Sequence, residues 1–458
     1  MHKKIPALAT AVRVATLAAV AAPSLALAGG FSLNEQSASA MGTANAGAAA
    51  NPENATTVMF NPAGMSQLSG TTLSFGAAYL DIDAEAKSGA SATRADGNSV
   101  QPAGRGGDIA DPAVLPNIYM SHEVNDSIDV GFGIHAPYGL AADYENDFVG
   151  RFFADKTELT AIAFTPAVSV NNGEGLSMGV GLSLMYAEGR LSRYQDLTGQ
   201  LGPVAYAIDE PYADIEGDDV GVTFRVGFLY EISDATQVGL SAQTGTDLKL
   251  KGEAKIHDAP DGFGGTTTLS EKVEVPLAIP ESLTLGIRHR LTDSVTLLAG
   301  ATYARWGRFQ ELDVISREVG GEIVDAPVEG VVLSHTTEKW KNTWQLNLGG
   351  IWQATPAWAF KAGYAYDESP VDQYVTARIP SQDRHWLTLG VQWRNPASGW
   401  TVDAALGTLL FKDDAKVDEY FYLHEDQTVP DPAAGASNYQ ASYDLSAWSA
   451  AIELTKSF

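Results

Sequence analysis

Few residues in this chain have the types and spacing to do chemistry. Gly175-Leu176-Ser177-Met178-Gly179 has the G-x-S-x-G spacing of a nucleophile elbow, which works only at a sharp strand-to-helix turn. Here the serine opens an alternating run with no helical stripe after it, so the chain is not expected to be an enzyme. Asp81-Ile82-Asp83-Ala84-Glu85, Asp214 to Asp219 and Asp413-Asp414 have the carboxylates that calcium prefers. In loops such acids are more often simply solvated, and no metal site is assigned. The eight histidines lack ligand spacing. With no cysteine, disulfides, thiolate metal sites and a cysteine nucleophile are excluded. No Gly-x-x-x-x-Gly-Lys phosphate loop is present, and no cofactor is expected.

The elements that position the remaining residues follow from charge and periodicity. A net charge of −27 over 458 residues excludes a nucleic-acid binder. Beyond the N-terminus no apolar run reaches the roughly 18 residues that a spanning helix needs. Residues 1–28 carry His2, Lys3, Lys4 and Arg13 and no acid, then an apolar stretch from Val14 to Leu27 ending in Ala26-Leu27-Ala28. This is the pattern of an export signal with a small-x-small cleavage site; a retained anchor is the alternative. The mature chain is expected to start at Gly29.

From about Leu73 onward the period is two. Val222, Phe224, Val226, Phe228 and Tyr230 alternate with Thr223, Arg225, Gly227 and Leu229, and Leu176 to Tyr186 alternate with Ser177, Gly179, Gly181 and Ser183. One face is apolar and the other small or polar, which suits a barrel with lipid outside and a polar lumen. Short turns at Asn125-Asp126, Asn171-Asn172-Gly173, Ser233-Asp234, Thr292-Asp293, Thr355-Pro356 and Asn395-Pro396-Ala397 alternate with longer links centred near residues 98, 148, 205, 260, 325, 375 and 428. Six turns and seven loops join 14 strands, with 12 or 16 as the alternatives. The last strand alternates through Trp448, Ala450, Ile452 and Leu454 to a terminal Phe458, resembling the signal read by the barrel assembly machinery.

Residues 29–69 lack strand periodicity and are rich in Ala, Gly, Ser, Thr and Asn, with apolar anchors from Phe31 and Leu33 to Met65 and Leu68. The segment reads as a plug or, alternatively, a linker; Asn61-Pro62-Ala63-Gly64 has the turn chemistry to end it. Pro116, Pro137 and Pro166 fall in three neighbouring strands. A proline removes a ladder donor and a closed barrel has no free edge, so pairing must be interrupted there. For Pro116 and Pro166 a place at strand ends above the membrane is expected; Pro137, followed by Tyr138-Gly139, is expected to bend its strand.

Gly30-Phe31-Ser32-Leu33-Asn34-Glu35 with Asn61-Pro62-Ala63 resembles the N-terminal hatch of the FadL family of long-chain fatty acid and hydrocarbon transporters. Ala136-Pro137-Tyr138-Gly139-Leu140 with Val149-Gly150-Arg151, Pro280-Glu281-Ser282-Leu283, Trp306 with Phe309, and Ile379 through Leu387 are similar to later segments of that family, in order. The resemblance implies an all-β fold, a 14-stranded antiparallel transmembrane β-barrel over residues 70–458 plugged by a small hatch of short helices. It also implies that Ala136, Pro137, Tyr138 and Gly139 form the family's inward kink and lateral exit, and that Phe31, Ala136, Tyr138 and Arg193 contact the ligand. Arg193 matches the arginine that holds a fatty-acid head group; a rim residue pairing with Asp196 or a lipid phosphate is the alternative. Ala136 stands where the fatty-acid transporter has a serine, and its lysine position falls near Thr336, with His335 and Lys339 close by.

The expected function is passive, hatch-gated transport of hydrophobic compounds across the outer membrane of a Gram-negative bacterium, foremost long-chain fatty acids. Aromatic or alkane hydrocarbons by the same route are the alternative, and an aqueous porin or a barrel phospholipase are the readings of other classes. The expected partners are the hydrophobic small molecule, outer-membrane lipid and lipopolysaccharide, and the assembly machinery; the protein is expected to be a monomer.

Overall fold

The computed structural model describes residues 30–458; the export signal and its cleavage site lie outside the described residues. Fourteen antiparallel strands form the wall: β1 Thr71–Ala86, β2 Ala113–Asn125, β3 Ile128–Asp143, β4 Lys156–Asn171, β5 Leu176–Tyr194 and β6 Tyr212–Ser233. Next come β7 (Thr236–Gln243 and Thr246–Pro260), β8 (Thr266–Ile279 and Ser282–Arg290), β9 (Val295–Ala304 and Glu311–Ser316) and β10 (Val332–Thr337 and Thr343–Gln353). The wall ends with β11 Trp358–Asp367, β12 Arg384–Asn395, β13 (Trp400–Phe411 and Ala415–Tyr420) and β14 Asn438–Ser457. Each strand pairs with the next, and β1 pairs with β14 from Thr72↔Ser457 to Ala86↔Tyr443, closing the barrel. Closure matters because an open edge in lipid would leave backbone donors and acceptors unsatisfied.

The expected alternation is visible as two faces. Val222, Phe224, Val226, Phe228 and Tyr230 are exposed on the outside of β6, while Thr223 is buried inside. On β14, Trp448 and Ile452 point out and Ser449, Glu453 and Thr455 point in. A continuous apolar belt of this kind is unstable against water and required against lipid. Among the described residues no helix is long and apolar enough to cross a membrane; the strands do so.

All six short turns fall where the sequence places them. One long link does not. Near residue 260 the chain makes only a tight connection, Asp261 to Gly265, at the tip of two long strand segments. There Leu248, Leu250 and Ala254 of β7 and Val273, Val275 and Leu277 of β8 are buried while charged residues alternate outward, so the ladder continues where a loop was expected. The two outer prolines are also placed differently from expectation. Pro166 lies within β4, opposite Phe132, and Pro116 lies within β2, opposite Ala77. Both sit where one neighbouring ladder is interrupted, which is the general solution for a proline in a sheet.

Residues 30–69 fill the lumen. They form two single-turn helices, α1 Ala38–Met41 and α2 Thr57–Phe60, and a 3-10 turn over Pro62–Gln67. The Ser37 hydroxyl caps α1 by accepting from the Ala40 N–H (3.3 Å), and the Asn61 side-chain oxygen caps the 3-10 turn by accepting from the Ala63 N–H (3.1 Å). The Asn61 amide also donates to the Ala49 carbonyl (2.6 Å) and to the Phe228 carbonyl of β6 (3.0 Å), fastening the plug to the wall. Met41, Val58, Ala63 and Met65 are fully buried. The wall makes room with glycine. A Cβ at Gly227 would lie 1.9 Å from the Asn61 oxygen, and one at Gly239 would lie 1.8 Å from the Ala49 carbonyl oxygen. Gly239→Val is therefore expected to leave a closed barrel with a dislodged plug. Limited proteolysis should cut residues 30–69 in the variant and spare them in the parent, with heat-modifiable gel mobility reporting the intact barrel.

Candidate functional site

The wall has one pronounced interruption. On β2, Ala113–Asn117 pair with β1 but not with β3, because the β2–β3 ladder starts at Ile118↔Ile134 and runs toward the short-turn end. On the other side of β3, His135 pairs with Ala163 and Tyr138 with Ala161, so Ala136 and Pro137 together face Ile162 alone. This is a β-bulge, which bends the bulged strand. The freed backbone groups are taken up by the plug. The Leu33 N–H donates to the Pro137 carbonyl (3.1 Å), the Gly139 N–H donates to the Phe31 carbonyl (2.9 Å), and the Gln36 amide donates to the Ala136 carbonyl (2.7 Å). The first residues of the plug thus act as a short extra strand along the kink, joined to it by these three hydrogen bonds. Asn117, opposite the gap, keeps a buried side-chain oxygen without a partner.

Phe31 of the plug is the centre of an aromatic cluster. Phe31, 1 % exposed, packs against Trp306 (4.6 Å between ring centroids), Trp340 (5.3 Å), Phe309 (5.8 Å) and Tyr138 (6.4 Å). Gly30 precedes it at φ 65°, and a Cβ there would meet the Trp306 ring at 2.6 Å, so glycine is needed twice over. Phe31 and Phe309 also border a small apolar cavity of about 50 Å3 that reaches Leu159, Leu250, Leu277 and Ile379. A second, more polar cavity of about 190 Å3 lies between the plug and the wall and is bordered by Pro137, Tyr138, His135, Arg225 and Gln243.

Arg193 is set apart from Phe31 and Tyr138. Its guanidinium lies 5.1 Å from the Phe421 ring and donates to the Ser334 hydroxyl (3.2 Å) and the Phe152 carbonyl (3.5 Å). Asp196, its alternative partner, instead pairs with Arg94 (3.4 Å). Near Arg193 stands Arg378, which donates to the Lys156 and Ser192 carbonyls (3.2 and 3.0 Å) and to the Thr157 hydroxyl (3.0 Å); burial lowers its pKa. His335 is held by Asp313 (2.6 Å) and Thr337 (2.9 Å), and Lys339 lies over the Tyr374 ring (5.5 Å), so neither serves as a free head-group cation. Pairing of β9 with β10 brings Glu311, Asp313 and His335 together, their potential ligand atoms within 4.8 Å of one another. Both His335 ring nitrogens are already engaged.

Glu338 joins the aromatic cluster through the Trp340 N–H, which donates to it (2.8 Å), while its other oxygen is buried without a partner. Burial pushes its pKa up to about 8, against a smaller lowering by the Trp340 bond. The folded protein keeps a proton that the unfolded chain releases above pH 4.5, so stability falls as pH rises toward about 8 and levels off beyond. Glu338→Gln is expected to raise the melting temperature at pH 8.5 and to leave it unchanged at pH 4, measured by circular dichroism in detergent.

Several of these residues have no signature in sequence. Trp340 and Glu338 come from a loop whose path depends on the break in β10. Arg225 has one, as the charged residue on the small-and-polar face of the β6 alternation, and His135 immediately precedes the Ala136-Pro137 motif. The Asn61-Pro62-Ala63 turn lies at the plug's base against β6 and Gly179, away from the aromatic cluster.

Comparison with known proteins agrees with this geometry. The family described as outer membrane protein transport protein (OMPP1/FadL/TodX) matches residues 18–458. A 47 kDa outer membrane protein of Pasteurella multocida is 30 % identical over 400 residues, covering 84 % of this chain and 88 % of the relative. A long-chain fatty acid transport protein of Escherichia coli is 26 % identical over 447 residues, covering 92 % of each. The crystal structure of a Pseudomonas aeruginosa FadL homologue superposes with a TM-score of 0.81 at 22 % identity, covering 93 % of this chain and 99 % of that one. The Pseudomonas putida toluene transporter TodX gives 0.68 at 17 % identity, with the same coverage.

Proposed function

Because this chain belongs to the FadL/TodX family of outer-membrane transport proteins, we propose that it takes up long-chain fatty acids by passive, hatch-gated diffusion with lateral release into the bilayer. The observation that carries the reading is the missing ladder between Ala113–Asn117 and the upper half of β3, lined from inside by Tyr138 and Phe31. An acyl chain enters through the outer loops toward Phe31, Phe309 and Leu277, whose small cavity widens as Phe31 moves to admit it, and each Å2 of apolar surface removed from water contributes about 25 cal/mol. Displacement of Phe31–Leu33 breaks its bonds to β3 and opens the way from lumen to gap. Leaving sideways spares the substrate a passage through water and bypasses the lipopolysaccharide leaflet. The long-chain fatty acid transport relative supports the acid as substrate.

The export signal over residues 1–28 delivers the mature chain to the periplasm, and residues 29–69 and 70–458 act as hatch and barrel. Phe458, 75 % exposed while its N–H donates to the Thr71 carbonyl (2.9 Å), is the element offered to the assembly machinery. The protein works as a monomer among outer-membrane lipid and lipopolysaccharide. Uptake of uncharged aromatics or alkanes is the second reading, favoured by Ala136 at the kink and by the separation of Arg193 from the Phe31 pocket. Equilibrium binding to the purified protein decides between them. Oleate binding that weakens in Arg193→Ala supports the acid and a carboxylate clamp. Binding of toluene or dodecane alone, indifferent to Arg193, supports the hydrocarbon, and binding of none of them sinks both.

A further inference from the structure

The polar cavity beneath the kink contains a charge that the transport of bulk hydrocarbon does not need. Arg225 projects from β6 into it and donates only to neutral groups, the Ser241 hydroxyl (3.1 Å) and the Gln243 side-chain oxygen. Among the described residues no carboxylate pairs with it, in a chain with 56 acidic residues to choose from. Arg225 is half-buried, and a guanidinium held there without a counter-ion is costly unless an anion completes it. The same cavity receives His135, 5 % exposed and stacked on Tyr119, whose Nδ1 has no hydrogen-bond partner. Two polar groups with spare capacity therefore face one cavity. The Gln243 amide in turn donates to the Tyr138 hydroxyl (3.3 Å), so Arg225 is connected through one side chain to the residue at the kink.

We propose that Arg225, with His135 and Gln243, forms a carboxylate subsite under the kink that holds the head group of an acidic amphiphile while its tail lies toward Tyr138 and the gap. The subsite is separate from Arg193, which contacts Phe152, Ser334 and Phe421. The guanidinium supplies charge-assisted hydrogen bonds, His135 adds one through Nδ1, and Tyr138 moves when Gln243 turns toward the ligand. An uncharged hydrocarbon has no group for these donors. The subsite rests on the transport reading and selects carboxylates within it.

The test is equilibrium binding of laurate and of dodecanol to the full purified protein in uncharged detergent, with Arg225→Met, Arg225→Lys and Arg193→Ala. Loss of a charge-assisted hydrogen bond corresponds to roughly a tenfold or greater loss of affinity. Laurate binding is expected to weaken by that amount in Arg225→Met and to recover largely in Arg225→Lys, with dodecanol binding unchanged in both. Equal affinity of parent and Arg225→Met for laurate, or an equal loss for both ligands, overturns the subsite and leaves the transport reading standing. Failure of the parent to bind either ligand overturns both. Should Arg225→Met not fold, carbon-13 resonance of carboxyl-labelled laurate on the parent decides: the bound carboxyl is expected to stay ionised to lower pH than in micelles, and titration identical to that in micelles overturns the proposal.

Discussion

Deletion of Pro137 is expected to abolish uptake of hydrophobic compounds while leaving a closed, folded barrel and intact ligand binding. The bulge consists of Ala136 and Pro137 opposite Ile162, so removing one residue restores one-to-one pairing between His135↔Ala163 and the residues that follow. A straight β3 can then continue its ladder along Ala113–Asn117 and seal the gap. The side-chain register beyond the deletion is the one a regular strand would have, and the ladder gained offsets the loss of the Leu33 N–H bond to the Pro137 carbonyl. Pro137→Ala is the control, since it keeps the extra residue and hence the bulge; it is expected to retain most of the uptake. Labelled oleate uptake by cells lacking their own transporter separates the two variants, and oleate binding to the purified proteins shows that entry is unaffected. Undiminished uptake in the deletion variant would mean that the substrate leaves past the plug into the periplasm, and the lateral route would have to be given up.

How much of this was legible beforehand depends on which physical signal a residue carries. The wall was readable because period-two alternation reports directly on a sheet with two different solvents, as in Val222 to Tyr230, and the short turns carry Asn, Asp, Gly and Pro. The hairpin at Asp261 to Gly265 was missed because its strands rise above the membrane, where outward positions are charged and the contrast between faces is lost. Pro137 announced the kink through the donor it lacks. Pro116 and Pro166 announced interruptions too, but their depth in the wall depends on register, which a lone proline does not encode. The Phe31 cluster was half legible: Phe31, Trp306 and Phe309 stood in motifs, whereas Trp340 arrives from a break in β10 that no local pattern marks. Arg193 was singled out by resemblance, and its neighbours Arg378 and Ser334 could be known only from three-dimensional pairing.

The plug's attachment yields the other large effect, and it concerns Lys361. This lysine, 3 % exposed on β11, donates to Glu53 of the plug (2.7 Å), to Asp403 of β13 (2.9 Å) and to the Ser39 carbonyl (3.1 Å). Gln392 of β12 bridges the same two carboxylates, at 3.0 Å from Glu53 and 2.9 Å from Asp403. Burial by itself raises the pKa of Glu53 and is the largest single effect, but the charge and hydrogen bond of Lys361, the charge of Arg394 and the Asn51 hydrogen bond together outweigh it and hold the group below the usual carboxylate range. Its contribution is therefore complete above pH 4.5 and is lost as pH falls toward about 2, so the plug should stay latched across physiological pH. Lys361→Met leaves two carboxylates buried without a cation, a change that costs about 3–5 kcal/mol. The wall has a continuous ladder on both sides of Lys361 and the plug does not, so relief comes from release of the segment around Glu53. Lys361→Met is expected to turn the protein into a leaky pore for small polar solutes, seen as stepwise conductance in planar bilayers where the parent shows little. Adding Glu53→Gln removes the unpaired acid from the plug and should largely restore closure, a double-mutant interaction that simple weakening of the barrel would not produce. Equal conductance of Lys361→Met and parent would mean that packing of Met41, Val58 and Met65 against the wall, rather than this ion cluster, holds the plug in place.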